Sequence, residues 1–187
     1  MLFRGLFAAA SFFVVSNLYA QALEFTVGDK SASLNWGMTV GATNVGRTEV
    51  NMGILYNDDK TLLGEIGLLV VDVAGTKSPG LMVAIGPNFY FSSAERGDIA
   101  AIGLGGELRY KLPSLNRLFF GLIGYYAPNI VTFAKADSLY EIGANIGYEI
   151  LPTADIFLGY RKITADFGEL GDENLDDAFH FGMKFRF

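Results

Sequence analysis

Every second residue at the end of this chain is apolar. Phe179, Phe181, Met183, Phe185 and Phe187 alternate with His180, Gly182, Lys184 and Arg186. Side chains on a strand point alternately to opposite faces, so this segment reads as a strand between an apolar and a polar environment. On a helix the same residues would scatter around the whole circumference. The pattern recurs at Ile102, Leu104, Gly106, Leu108, Tyr110 and Leu112, against Gly103, Gly105, Glu107, Arg109 and Lys111. It recurs at Tyr140, Ile142, Ala144, Ile146, Tyr148 and Ile150, against Glu141, Gly143, Asn145, Gly147 and Glu149. Less regular copies occupy residues 23–27, 34–40, 48–56, 66–70, 81–91, 118–126 and 156–160. Turn-forming clusters separate them, among them Gly28-Asp29-Lys30, Asn57-Asp58-Asp59, Ser78-Pro79-Gly80, Gly97-Asp98, Pro113-Ser114 and Pro152-Thr153. The pattern predicts ten strands, with eight as the fallback because the first is short.

The first 22 residues read differently. Arg4 precedes an apolar run from Gly5 to Val15, and Ala20-Gln21-Ala22 offers a small-residue cleavage site. This is the order of a secretory signal, and the run is too short to span a bilayer. Residues 1–22 are therefore expected to be removed, leaving one domain over residues 23–187 that reaches its destination through the periplasm.

Composition decides what kind of strand protein this is. Of the 187 residues 51% are hydrophobic and only 18% charged, which excludes a disordered chain. Beyond the leader no run of about 20 apolar residues exists to make a spanning helix. A net charge of −6 argues against nucleic-acid binding. With no Cys and a single His, disulfides, thiol chemistry and His-rich metal centres are excluded, and no cofactor is expected. An apolar chain of alternating strands is the signature of an antiparallel up-and-down β-barrel that crosses a membrane. There the apolar half of each strand faces lipid and the polar half faces the lumen. Closure is physically required, since an open sheet edge in lipid leaves backbone groups unpaired.

Three features favour this over a soluble barrel. With both termini at one end, Tyr56, Phe89, Phe91, Tyr126, Tyr140 and Phe179 fall at one membrane level, and Tyr110, Tyr148, Phe185 and Phe187 at the other. Predicted inner links at residues 113–116 and 151–154 are short, and predicted outer loops at 127–137 and 164–176 are long. The terminal strand with Phe179, Phe181, Met183, Phe185 and Phe187 resembles the C-terminal signal that the assembly machinery of Gram-negative outer-membrane barrels recognises. The sequence also resembles the YfaZ-type outer-membrane proteins, an uncharacterised family. The resemblance is clearest at Gly124-Tyr125-Tyr126-Ala127-Pro128, at Gly159-Tyr160-Arg161 and in the terminal strand. It implies a barrel in the outer membrane and supplies no reaction or catalytic residue.

Function must then lie on the polar half of the strands. Glu24, Glu49, Glu65, Glu107, Arg109, Lys111, Glu141, Glu149, Arg161, His180, Lys184 and Arg186 are expected to point inward. Mixed charges in a narrow lumen should pair, with Arg109, Arg161, Lys184 and Arg186 neutralising Glu107, Glu141 and their neighbours. Inward glycines at 103, 105, 143, 147 and 182 leave room for charged side chains or water. A largely plugged or narrow lumen follows, with a structural or minor channel role, because wide channels need about sixteen strands.

The predicted outer rim is acidic. Asp29, Asp58, Asp59, Glu95, Asp98, Asp137, Asp166, Glu169, Asp172, Glu173, Asp176 and Asp177 stand against Lys30, Lys60, Arg96 and Lys135. Asp172-Glu173-Asn174-Leu175-Asp176 begins like a calcium loop, but Asp177 and Met183 occupy the Gly and Glu positions, so no EF-hand is present. Outer-membrane lipid, lipopolysaccharide and the assembly machinery are the expected partners of a monomer. The alternatives are a rim enzyme using His180 with Asp176 or Asp177 and a serine such as Ser92, Ser93 or Ser138, and a ligand-binding or adhesion barrel. The protein is not expected to be an enzyme.

Overall fold

The structure, a computed structural model, describes residues 19–43, 46–73, 80–93 and 97–187. Most of the predicted leader, together with Ser78, Pro79, Glu95 and Arg96, lies outside these. The strands are β1 (Tyr19–Gly28), β2 (Ser31–Thr43), β3 (Gly46–Asn57), β4 (Leu62–Val73), β5 (Leu81–Ser93), β6 (Asp98–Lys111), β7 (Leu118–Ala127), β8 (Thr132–Ala134), β9 (Ser138–Leu151), β10 (Ala154–Asp166) and β11 (Asp172–Arg186). Ten of them are long, and β8 has three residues. All pairings are antiparallel. Each long strand pairs with its neighbour in sequence, β7 with β9 across the β8 excursion, and β1 with β11. The sheet therefore closes into a ten-strand up-and-down barrel. At the seam, Gln21 and Phe187 exchange both backbone hydrogen bonds at 2.9 Å.

Closure explains why the strands outrun their apolar runs. Predicted strand 66–70 became Leu62–Val73, and 156–160 became Ala154–Asp166. A backbone group continues the ladder wherever its neighbour offers a partner, whatever the side chain. The same rule corrects the predicted loop at residues 164–176. Thr164 pairs with Asn174, Ala165 with Glu173 and Asp166 with Asp172, so only residues 167–171 form the connection. A register shift at Ile163/Thr164 leaves Leu175 without a partner on β10. This bulge turns both Leu175 and Asp176 into the barrel, where both are buried.

The two ends are less unequal than expected. The connection at residues 128–137, at the end away from the termini, is long and carries β8, which pairs with the start of β6. Yet the β1–β2 link at that end is two residues, whereas residues 112–117 make a longer link at the terminus end.

The outer wall is an apolar band. Ile85 and Leu104 are each 65% exposed and Leu158 61%. A contiguous belt of such residues belongs in lipid. Tyr56, Phe91 and Tyr126 are exposed near the loop end of their strands and Phe179 at the middle of β11, and Tyr110, Tyr148, Phe185 and Phe187 near the terminus end.

Candidate functional site in the barrel lumen

The inside of the barrel has two zones. At the loop end an apolar layer is set among a few buried polar groups. Leu55, Leu63, Ile99, Leu139, Ile163 and Leu175 come from six different strands and are at most 3% exposed. Ala101, Ala127, Ala165 and Phe167 pack with them. The polar groups in this layer are satisfied locally. Asn57 Nδ2 donates to the Leu175 carbonyl at 2.8 Å, and Thr26 and Ser33 hydroxyls meet at 2.7 Å. Below this layer lies a cavity of ≈ 540 Å³. Its lining runs from Glu65, Asn88, Tyr125 and Glu141 at mid-barrel down to Gln21, Arg47, Glu149, Asp155 and Arg186 at the terminus end. None of the six layer residues lines it.

The lumen charges pair, but not as predicted. At the terminus end Arg109 reaches Asp155 at 2.9 Å and Glu149 at 3.4 Å, and its guanidinium lies 3.6 Å over the Phe119 ring. Arg186 bridges the same Asp155 oxygen, and Lys111 meets Glu149 at 2.5 Å. Higher up, Lys184 pairs with Glu24 at 3.2 Å, and Arg161 donates from Nε to Asp176 at 2.7 Å. Ser31 donates to the other Asp176 oxygen at 2.7 Å. Arg47, a residue the sequence did not single out, pairs with Glu49 at 2.5 Å. Glu107 and Glu141 make no direct salt bridge, although Lys184 acts electrostatically on Glu107 and Arg161 on Glu141. Glu141 instead accepts the Tyr90 hydroxyl at 2.5 Å, and Glu107 lines the cavity without a salt bridge. Asp155 and Asp176 are the partners that sequence reading missed. Asp155 shares the parity of Phe157, Gly159 and Arg161, so alternation alone could have found it. Asp176 was assigned to the acidic rim, and the strand extension moved it inside.

The inward glycines have a different job from the one expected. A Cβ at Gly182 would strike the Phe157 ring, one at Gly147 the Phe119 ring, and one at Gly105 the Tyr125 ring. Tyr90 lies on Gly103 in the same way, and His180 on Gly159. Each glycine is the seat of a ring from the adjacent strand. An aromatic covering a neighbouring glycine pins strand register and shields its backbone. Gly143 has only looser neighbours.

His180 sits in this ring system. It meets Phe157 edge-on at 6.0 Å between centroids. Asp176 is engaged by Arg161 and Ser31, and Asp177 lies on the outer wall with Tyr160 and Lys162. Ser92 donates to the Leu62 carbonyl and Ser93 to Asp98. Asp176, Asp177, Ser92 and Ser93 thus each have hydrogen-bond partners other than His180.

A closed up-and-down barrel of ten strands, apolar outside and charged inside, is a small outer-membrane β-barrel in class. The chain belongs to the YfaZ precursor family, whose family model matches residues 4–187. No curated protein matches the sequence. Among solved structures it is similar to one described as "Unveiling the Mechanism Behind the in-meso Crystallization of Membrane Proteins". That match has 15% identity and a TM-score of 0.51, and covers 91% of this chain and 83% of that one. A "Bacterial polysaccharide outer membrane secretin" matches at 14% identity and TM-score 0.48, over 94% of this chain and 67% of that one. The "KdgM porin" matches at 12% identity and TM-score 0.46, over 90% and 99%. At these identities the likeness concerns the fold.

Proposed function

We propose that the protein is a non-enzymatic outer-membrane barrel whose lumen is a blind vestibule, open toward the periplasm and shut toward the outside. The carrying observation is the buried apolar layer from Leu55 to Leu175. Water and ions enter such a constriction only at a large cost, because the polar groups packed beside it are already hydrogen-bonded to one another. The role is structural or that of a periplasm-facing binding pocket, and a diffusion pore is the reading it opposes. Both termini face the periplasm in this arrangement, and the acidic loop ends meet lipopolysaccharide. The barrel acts as a monomer, and the alternating phenylalanines of β11 address it to the assembly machinery.

Planar-bilayer recording tests the reading. The wild-type barrel should give no stable conductance steps at neutral pH. Replacing Leu63, Leu139 and Leu175 together by serine should produce them. Steady open channels from the wild type would overturn the proposal.

Leader removal is part of the same reading. Cleavage after Ala22 would delete Gln21 and its two seam hydrogen bonds to Phe187. Cleavage after Ala20 keeps them. The mass of the mature protein distinguishes the two, with the start at Leu23 expected from the small-residue site. A start at Leu23 would show that the seam forms without that pair.

A further inference from the structure

The ladder that closes the barrel stops short of the loop end. β1 pairs with β11 from Ala22 and Arg186 up to Gly28 and His180, and there β1 turns into β2. Residues 172–179 of β11 run on beyond that point, with β10 as their one strand neighbour among the described residues. On their other side, two side chains stand where a ladder would be. Ser31 Oγ donates to Asp176 Oδ1 at 2.7 Å, and Asn57 Nδ2 donates to the Leu175 carbonyl at 2.8 Å. Ser31 and Asn57 are paired across β2 and β3, so both fastenings leave from one point of the rim. Arg161 also holds Asp176, but that bond lies within the β10–β11 hairpin and does not cross the gap.

The segment fastened in this way is one that shuts the lumen. The β10–β11 hairpin supplies Ile163, Ala165, Phe167 and Leu175 to the buried apolar cluster. On its far side β10 is laddered to β9 as far as Asp166 and Ser138. One edge of the hairpin is thus continuous with the wall, and the other is tied by side chains. The register shift at Ile163/Thr164 lies at the base of this segment, and a bulge is where a strand bends. A region held by few bonds opens at a lower free energy than the ladders around it.

We propose that the loop end of the β10–β11 hairpin is a door, hinged on β9 and latched by Ser31 and Asn57. Closed, it completes the apolar layer; open, it joins the vestibule to the outside. This rests on the blind-vestibule reading above. The test uses the full refolded barrel. Ser31→Ala removes one latch. Asn57→Asp removes the other and keeps Oδ1, which accepts from the Thr61 amide in the β3–β4 turn. In planar bilayers the double variant is expected to show brief openings where wild type stays shut. Leu175→Cys, in a chain that has no other cysteine, provides the second readout. Its reaction with a polar thiol reagent should be about 10-fold or more faster with both latches removed, the scale of two lost hydrogen bonds. Thr26→Val is the control. It removes the buried Thr26–Ser33 bond, which lies within the β1–β2 ladder, and should leave both readouts unchanged. Should the double variant not refold, Ser31→Ala alone decides on the same readouts. A silent latch variant with unchanged labelling overturns the inference. So do equally frequent openings in Thr26→Val, which would trace the leak to the loss of any buried bond. With a silent wild type these results refute the door alone, whereas a conducting wild type refutes the vestibule itself.

Discussion

Replacing Asp155 by alanine is expected to cost about 3 kcal/mol of unfolding free energy, the lower end of what breaking a buried ion pair costs. Asp155 is buried, and a single one of its oxygens holds both Arg109 and Arg186. Those residues lie on β6, β10 and β11, so one carboxylate ties three strands together. Removing it leaves two guanidiniums facing each other without their shared counter-charge. Arg109 and Arg186 retain some access to water, at 20% and 34% side-chain exposure, which keeps the effect at that lower end. The measurement is a urea unfolding midpoint in detergent, followed by the fluorescence of the single tryptophan, Trp36. An unchanged midpoint would show that the triad is merely a solvated contact. Arg161→Glu should act in the same direction, because it sets a second carboxylate against buried Asp176.

The second large effect is steric. Gly182→Val should destabilise or block folding of the barrel, by about 1–3 kcal/mol or more, as overpacking does. The Phe157 ring occupies the space a side chain at 182 would need, and the two residues face each other directly across β10 and β11. Adding Phe157→Ala should restore much of the loss, with a coupling of about 0.5–3 kcal/mol in a double-mutant cycle. The folded fraction after refolding, read from the heat-sensitive gel mobility of the barrel, reports it directly. Additive behaviour of the two substitutions would refute the seating of the ring on the glycine.

Alternation made the wall legible. Phe179, Phe181 and Phe185 point out and His180, Lys184 and Arg186 point in because a strand has no other choice once one residue is placed. The number of long strands followed from counting those alternations between turns. Boundaries did not, and Asp176 shows why. An acidic stretch resembles a loop when judged by side chains, while the backbone is governed by what the neighbouring strand offers. Thr164, Ala165 and Asp166 found partners in β11, and the acidic stretch became strand. The lumen was legible only as a list of inward charges. Glu107 and Arg109 are two residues apart and share a face, yet Arg109 turns to Asp155, 46 residues further on.

By itself the sequence determined the class: period-two patterning, the absence of a spanning helix and a terminal aromatic strand admit a membrane barrel and little else. Parity is a local property, and it survives without knowledge of any partner. The tertiary structure alone decided which carboxylate meets which base, which ring rests on which glycine, and that the lumen is apolar at one end and polar below. Those outcomes depend on the register and stagger of ten closed strands. Register brings residues far apart in sequence to one height, and the side chains there compete for the same few partners.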